Sequence, residues 1–447
     1  MRRRNSQAKG ARPDGPLEHA AHEHAGGQGD GAITLSSDVQ GVSKMGAALD
    51  GRLAARIGRL GTETAFAVSA EANEWGTLGH TVYPFHLGDM DLPTPPNIVE
   101  AAEKAIRDGH TGYCPNAGIM PLREALAADV SASHGLALGP ENVVIEPGGK
   151  PVIAKFIMAL MDPGDEVLYP NPGYPIYESQ IEFHGGVAKP YGYVAAAHDF
   201  ELDLEALDRQ VTPRTKLLIF NNLQNPTGAE SSEAELERLA EFVLRNDLLV
   251  LSDEAYWDIR YDGASRSLAS LPGIAERCLI LYTFSKKFAM TGWRLGAAVG
   301  PRALTDVIAK LNVNDESCSN HFVQYGALEG LTGAQSGPRE IVSILRARRD
   351  AAVEILNDIR GVTCYRPGAT FYLYPDVTEL MEHKGLQTYD ELRRAALEQT
   401  GVSFCTRLHF GRELPGETRR YVRFAYSGIS LELIREGLGL LKSWAEA

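Results

Sequence analysis

Five short apolar runs, Val143–Ile145, Glu166–Tyr169, Lys216–Phe220, Leu248–Leu251 and Leu279–Tyr282, are separated by stretches of helical periodicity such as Pro151–Leu160 and Ser232–Arg245. A strand with one wet face alternates apolar and polar residues, whereas a continuously apolar strand has to be covered on both faces. Strands of this kind alternating with helices predict an α/β fold, a large domain whose mostly parallel sheet is flanked by helices. After Gly330 the pattern changes to an Arg-rich helix, Arg346–Ile359, and a strand pair around Phe371–Tyr374 and Tyr421–Phe424, which reads as a smaller α+β domain. A chain of 447 residues is too long for one ordinary core. The expected organisation is a disordered tail over 1–45 and an N-terminal helix or arm over 46–84 packing on the small domain. The large domain follows over 85–330 and the small one over 331–447. Within the arm, Met45 to about Arg59 has the apolar spacing of a short amphipathic helix.

Composition excludes several functions. With 44 Lys+Arg against 58 Asp+Glu the formal charge is −14, which disfavours a nucleic-acid partner. The five cysteines, Cys114, Cys278, Cys318, Cys364 and Cys405, form no CxxC pair and fit neither a zinc site nor a disulfide framework. No metal is expected; His19, His22 and His24 belong to the Gly- and Ala-rich tail. The apolar stretch Val152–Met161 is broken by Lys155 and falls short of the ~20 residues that span a bilayer. No apolar segment follows Arg2, Arg3 and Arg4, so neither membrane insertion nor secretion is expected and the location read is cytoplasmic.

In an open α/β sheet, ligands bind outside the carboxyl ends of the strands. Val143–Ile145 runs into Glu146-Pro147-Gly148-Gly149-Lys150, a glycine turn whose backbone N–H groups and following helix suit an anion. Lys216–Phe220 leads to Asn225, Leu248–Leu251 to Asp253 and Tyr256, and Leu279–Tyr282 to Thr283, Lys286 and Lys287. Each alone reads as a turn former or cap. Together they place an amide, a carboxylate and a lysine at one sheet edge. Pyridoxal phosphate needs a lysine amine for covalent attachment, an anion nest and an acid beside its pyridine nitrogen. Asp253 suits the nitrogen, Asn225 and Tyr256 can donate to the ring's phenolate oxygen, and Arg294 can grip the phosphate bidentately. These chemical arguments do not choose between Lys286 and Lys287.

The segment Thr283-Phe284-Ser285-Lys286-Lys287-Phe288-Ala289-Met290-Thr291-Gly292-Trp293-Arg294-Leu295-Gly296 resembles the lysine signature of class I/II aminotransferases of pyridoxal-phosphate fold type I. The resemblance runs from about Phe85 to the C-terminus. It implies Lys286 as the attachment lysine, because the family's arginine stands eight residues later, at Arg294. It also implies Gly88 near the substrate carboxylate, Gly149 and Lys150 in the phosphate loop, Tyr174 stacked over the cofactor ring, Thr283 as a phosphate-binding hydroxyl and Arg423 on the substrate α-carboxylate. Tyr113 matches a tyrosine that reaches the phosphate of the neighbouring subunit, which implies a homodimer with a shared active site. In one branch of aspartate aminotransferases the loop lysine, here Lys150, recognises a distal carboxylate, so aspartate or glutamate and a 2-oxo acid are the implied substrates. Alanine or aromatic substrates, and a lyase, decarboxylase or oxidase on the same scaffold, stay open. A non-catalytic regulator is disfavoured by the intact lysine and the absence of a helix-turn-helix before residue 84. The chain departs from the family at Phe404-Cys405-Thr406-Arg407-Leu408-His409-Phe410-Gly411, where a Pro-Gly turn is common; Arg407 and His409 read there as surface loop residues, with contact to the substrate as the alternative.

Overall fold

The computed structural model describes residues 51–61, 64–196 and 199–447. The 1–45 tail with its three histidines lies outside them. A seven-stranded sheet is built from β1 (Val143–Glu146), β2 (Glu166–Pro170), β3 (Val187–Tyr191), β4 (Thr215–Phe220), β5 (Leu249–Asp253), β6 (Cys278–Thr283) and β7 (Gly296–Val299). Their spatial order is β1-β7-β6-β5-β4-β2-β3. β7 runs antiparallel to both its neighbours, and every other pair is parallel.

Period-2 alternation is present in these strands, but between two dry faces. Ile145, Leu168, Leu218, Phe220, Val250 and Ile280 enter one core, while Val144, Val167, Leu217, Ile219, Leu251 and Leu279 enter the other. That is why the strands read as continuous apolar runs. Two strands escaped the pattern. β3 contains Lys189 and Pro190 and sits at the sheet edge, where proline is tolerated. β7 is Gly-Ala-Ala-Val, and its small residues are demanded by crowding: a Cβ on Gly296 would lie 2.9 Å from the Gly148 carbonyl carbon.

A second core joins Tyr83 and Phe85 to Leu345, Phe371, Phe424 and Ile434. Its sheet is β8 (Tyr372–Leu373), β9 (Cys405–Thr406) and β10 (Val422–Ala425), with β10 in the middle. The long helix covers Ser336–Asn357, beginning before the expected Arg346 because Pro338 stands in its first turn, where the missing N–H costs nothing. The helix expected from Met45 to Arg59 is, over its described part, one 3-10 turn at Ala55–Arg59 with no buried residue. The N-terminal amphipathic helix is Ala65–Thr77 instead, with Val68 packed on Cys405 and Phe410 and Glu71 paired with Arg393. Among the described residues no helix is long and apolar enough to cross a membrane, and no cluster of side chains could hold a metal ion.

Lys155, fully buried, explains the broken apolar run. Its ammonium donates to Glu146 at 2.7 Å and to Asn312 at 2.7 Å, and it also pairs with Glu316. Burial pushes the Glu146 carboxyl up to about 8 despite the adjacent cation. Removing one partner of a buried ion pair strands the other and costs about 3–5 kcal/mol. Lys155→Met should therefore lower stability by about 3 kcal/mol, read as a fall in the urea midpoint with an unchanged slope.

Candidate active site

The carboxyl ends of the parallel strands share one edge of the sheet, and the site is built on it. Phe220 is paired with Ser252 and Asp253 with Leu281, so the residues following β4, β5 and β6 emerge side by side. Asn221 links two of these ends, donating to the Asp253 carbonyl at 2.9 Å and accepting from the Asn225 amide at 3.1 Å. Beyond them lies a cavity of about 480 Å³. Gly88, Gly149, Lys150, Tyr174, Asn225, Asp253, Tyr256, Thr283, Lys286, Arg294 and Arg423 all line it. Tyr113 does not; it is 88% exposed on the outside of its own chain.

The two lysines diverge. Lys286 faces the cavity and donates to the Gly88 carbonyl at 2.9 Å, whereas Lys287 turns away into an ion pair with Asp258 at 2.9 Å. Gly149 and Lys150 are not a loop but the first turn of the helix Gly149–Leu160, so their N–H groups stand at the positive end of a helix dipole. A Cβ on Gly148 would lie 2.4 Å from the Arg294 guanidinium, so only a glycine, here at φ +106°, lets that cation close over the turn. Arg294 is fixed by its own donation to the Thr291 carbonyl at 2.8 Å. Thr283 and Ser285 add hydroxyls 2.9 Å apart.

Asp253 accepts from the Tyr177 hydroxyl at 2.5 Å and from the Ala255 amide at 3.1 Å. Burial nevertheless raises its carboxyl to about 6. Burial likewise drives the Tyr256 phenol well above its ordinary value, and its hydroxyl meets that of Tyr372 at 2.7 Å. Arg423, only 4% exposed, donates to the Asn225 side chain at 2.9 Å and to the His86 carbonyl at 2.7 Å, while its Nε finds no partner. Tyr372 and Phe410 flank its guanidinium, each ring centre 4.5 Å away. Both hydrogen-bond partners are neutral, so this buried cation is electrostatically uncompensated by them. The cation also helps burial hold His86 down at about 4.

Sequence reasoning missed Tyr177, Tyr372 and Ser285, and it misplaced the departed loop. Arg407 is not a surface residue: it is 2% exposed and bonds Asn171 at 2.7 Å and Glu417 at 2.6 Å. His409 is half-buried on the cavity wall. The Glu417 partner, itself exposed but only ten residues downstream, was the one available signal for Arg407.

An amine, an anion cradle with a cation over it, a buried carboxylate and a second, unpaired cation are the donor set that pyridoxal phosphate and an amino-acid carboxylate require, and the residues present fit both. The fold and this edge define an α/β enzyme of the pyridoxal-phosphate fold type I class. Residues 81–439 match the model of the family described as aminotransferase class I and II, and the chain belongs to that family and is a transaminase. It is 35% identical over 398 residues to a probable aspartate/prephenate aminotransferase of Aquifex aeolicus, covering 88% of this chain and 98% of that one. To an aspartate aminotransferase of Geobacillus stearothermophilus it is 34% identical, over 80% and 92% of the two chains. A solved aspartate aminotransferase of Thermus thermophilus with maleate superimposes with a TM-score of 0.79 at 31% identity, over 88% and 99%.

Because the folded-state value of Asp253 lies above its ordinary 3.8, the protonated form is favoured inside. The resulting stability penalty is absent below about 4 and complete once the pH passes about 6. The Tyr177 hydroxyl stabilises the ionised form, so Tyr177→Phe should raise the Asp253 value further, by about one unit. The carboxyl C=O stretch followed by infrared titration measures it; an unchanged midpoint would show that the phenol does not act on Asp253.

Proposed function

We propose that the chain is a pyridoxal-phosphate-dependent aminotransferase for aspartate or glutamate and a 2-oxo acid. The observation that carries this reading is the convergence of Lys286, Asp253, Arg294 and Arg423 on one cavity. When bound, pyridoxal phosphate supplies the electron sink for the carbanion left at the substrate Cα. The helix N-terminus at Gly149, the Thr283 and Ser285 hydroxyls and Arg294 hold its phosphate. The Asp253 carboxylate, ionised above about 6, would hold a proton on the cofactor's nitrogen, and Asn225, Tyr256 and Tyr174, which line the same cavity, would help to hold the ring. Arg423 fixes the α-carboxylate, exchanging an uncompensated buried cation for an ion pair. Lys286 Nζ, neutral when it acts, would take the substrate Cα proton as the general base.

The dicarboxylate preference rests on Lys150 at the cavity wall and on the maleate, itself a dicarboxylate, in the Thermus relative's description. The exposure of Tyr113 supports its service to the site of a second subunit, and a homodimer is part of the proposal. So are a division into a cofactor domain over 85–330 and a small domain over 331–447 on which the 46–84 arm packs, and a cytoplasmic location.

Turnover of aspartate, alanine and phenylalanine against 2-oxoglutarate tests the reading: aspartate should lead, and Lys286→Ala should lose essentially all transfer. Arg423→Met should lower kcat/KM for every amino donor by roughly a hundredfold or more, the value of a lost charge-assisted pair. Full turnover by the Lys286 variant, or none with aspartate, overturns the assignment.

A further inference from the structure

The departed loop puts a histidine where the side chain of a substrate has to pass. His409 lines the cavity, and its neighbour Phe410 lies against Arg423 with 4.5 Å between guanidinium and ring centre. The His409 ring is not free to choose its tautomer. The buried Thr406 amide donates to Nδ1 at 3.0 Å, and the Thr406 hydroxyl lies 2.8 Å from the same nitrogen. A backbone N–H can only donate, so Nδ1 carries the lone pair and the ring proton is on Nε2. The Thr406 carbonyl, at 3.3 Å, is the more distant neighbour of Nδ1. This is a capping box, and the histidine that closes it lines the cavity.

Arg407 makes the arrangement rigid. Its guanidinium ties the loop to the Asn171 side chain, to Glu417 and to the Gly411 and Arg412 carbonyls. Burial lowers the His409 value, and the Arg393 and Arg423 cations outweigh the Asp390 carboxylate among the charges that face it. The imidazole is therefore a neutral, directed donor. Its Nε2 makes no hydrogen bond among the described residues. With the α-carboxylate assigned to Arg423, the acceptor left for it is on the substrate's side chain.

We propose that His409 is a specificity-determining residue, whose Nε2–H donates to a carboxylate oxygen on the side chain of a dicarboxylic substrate. The inference rests on the dicarboxylate reading above and assigns to this loop a recognition role alongside Lys150. A donor held in one tautomer by its own turn discriminates well, because no reorganisation is needed when the acceptor arrives. A side chain without an acceptor leaves that N–H facing apolar atoms, which is the penalised case.

The test compares binding to the holoenzyme of maleate and of cis-2-butenoate, which lacks the second carboxylate, by the change in the cofactor's absorbance. Wild type should prefer maleate. His409→Leu should reduce that preference by roughly tenfold or more through maleate alone. His409→Glu keeps an acceptor for the Thr406 amide but adds an anion, and should reduce the preference further; His409→Gln keeps both acceptor and donor and should stay within about threefold of wild type. If the Leu variant does not fold, the Glu variant decides. A variant that keeps the wild-type preference, or that weakens both ligands equally, overturns the role of His409 while leaving the dicarboxylate reading standing. No maleate preference in wild type overturns both.

Discussion

The parallel register of β4, β5 and β6 is the constraint on which the rest of the molecule depends. It brings the ends of three strands to one edge, so that Asn221, Asp253 and Thr283 open on the same cavity although 32 and then 30 residues separate them in sequence. Side chains alternate between two dry cores, and a slip of one residue would exchange every strand's inward and outward sets. Leu251 and Val250 would trade cores, and the Asp253 carboxylate would turn away from Tyr177. Burial on both faces therefore fixes the register, and the register fixes the chemistry at its edge.

Two groups on that cavity are held in states the protein alone does not favour. Arg423 is a buried cation whose hydrogen bonds go to an amide and a carbonyl, and Asp253 is a buried carboxyl whose ionised form depends largely on one phenol. Each costs folding stability, and each is offset by a ligand of opposite charge. The contrast with Lys155 is instructive. That buried cation has two carboxylates and an amide around it and needs nothing from outside. Within one chain, the completeness of the partner set separates a structural charge from a binding one.

Much of this was legible in the sequence, for definable reasons. The five apolar runs are strands because burial on both faces leaves no polar positions, and residues directly after strand ends were found because the chain direction points them to one edge. What escaped was spatial rather than local. Tyr177 is 76 residues from Asp253, and Tyr372 is 116 from Tyr256; nothing in their immediate surroundings marks them. β7 was invisible because three of its four residues are Gly or Ala, which are depleted in strands, and its glycine lets backbone approach backbone. Arg407 looked like a loop residue because a polar stretch is expected to be wet, and its partners Asn171 and Glu417 lie on other segments.

The antiparallel turn of β7 has a consequence for how the lysine segment is read. Thr283 and Gly296 are ladder partners, and the Phe284 amide closes on the Leu295 carbonyl at 3.3 Å. Lys286 and Arg294 thus sit on one tied loop, one near its start and the other near its end. The interval between them is a length of chain cut to fit, since both ends are pinned by the same pair of strands. An inserted residue would leave the ladder whole and move the guanidinium off the Gly148 turn. What looks like spelling in the sequence is, in the folded chain, a measured span.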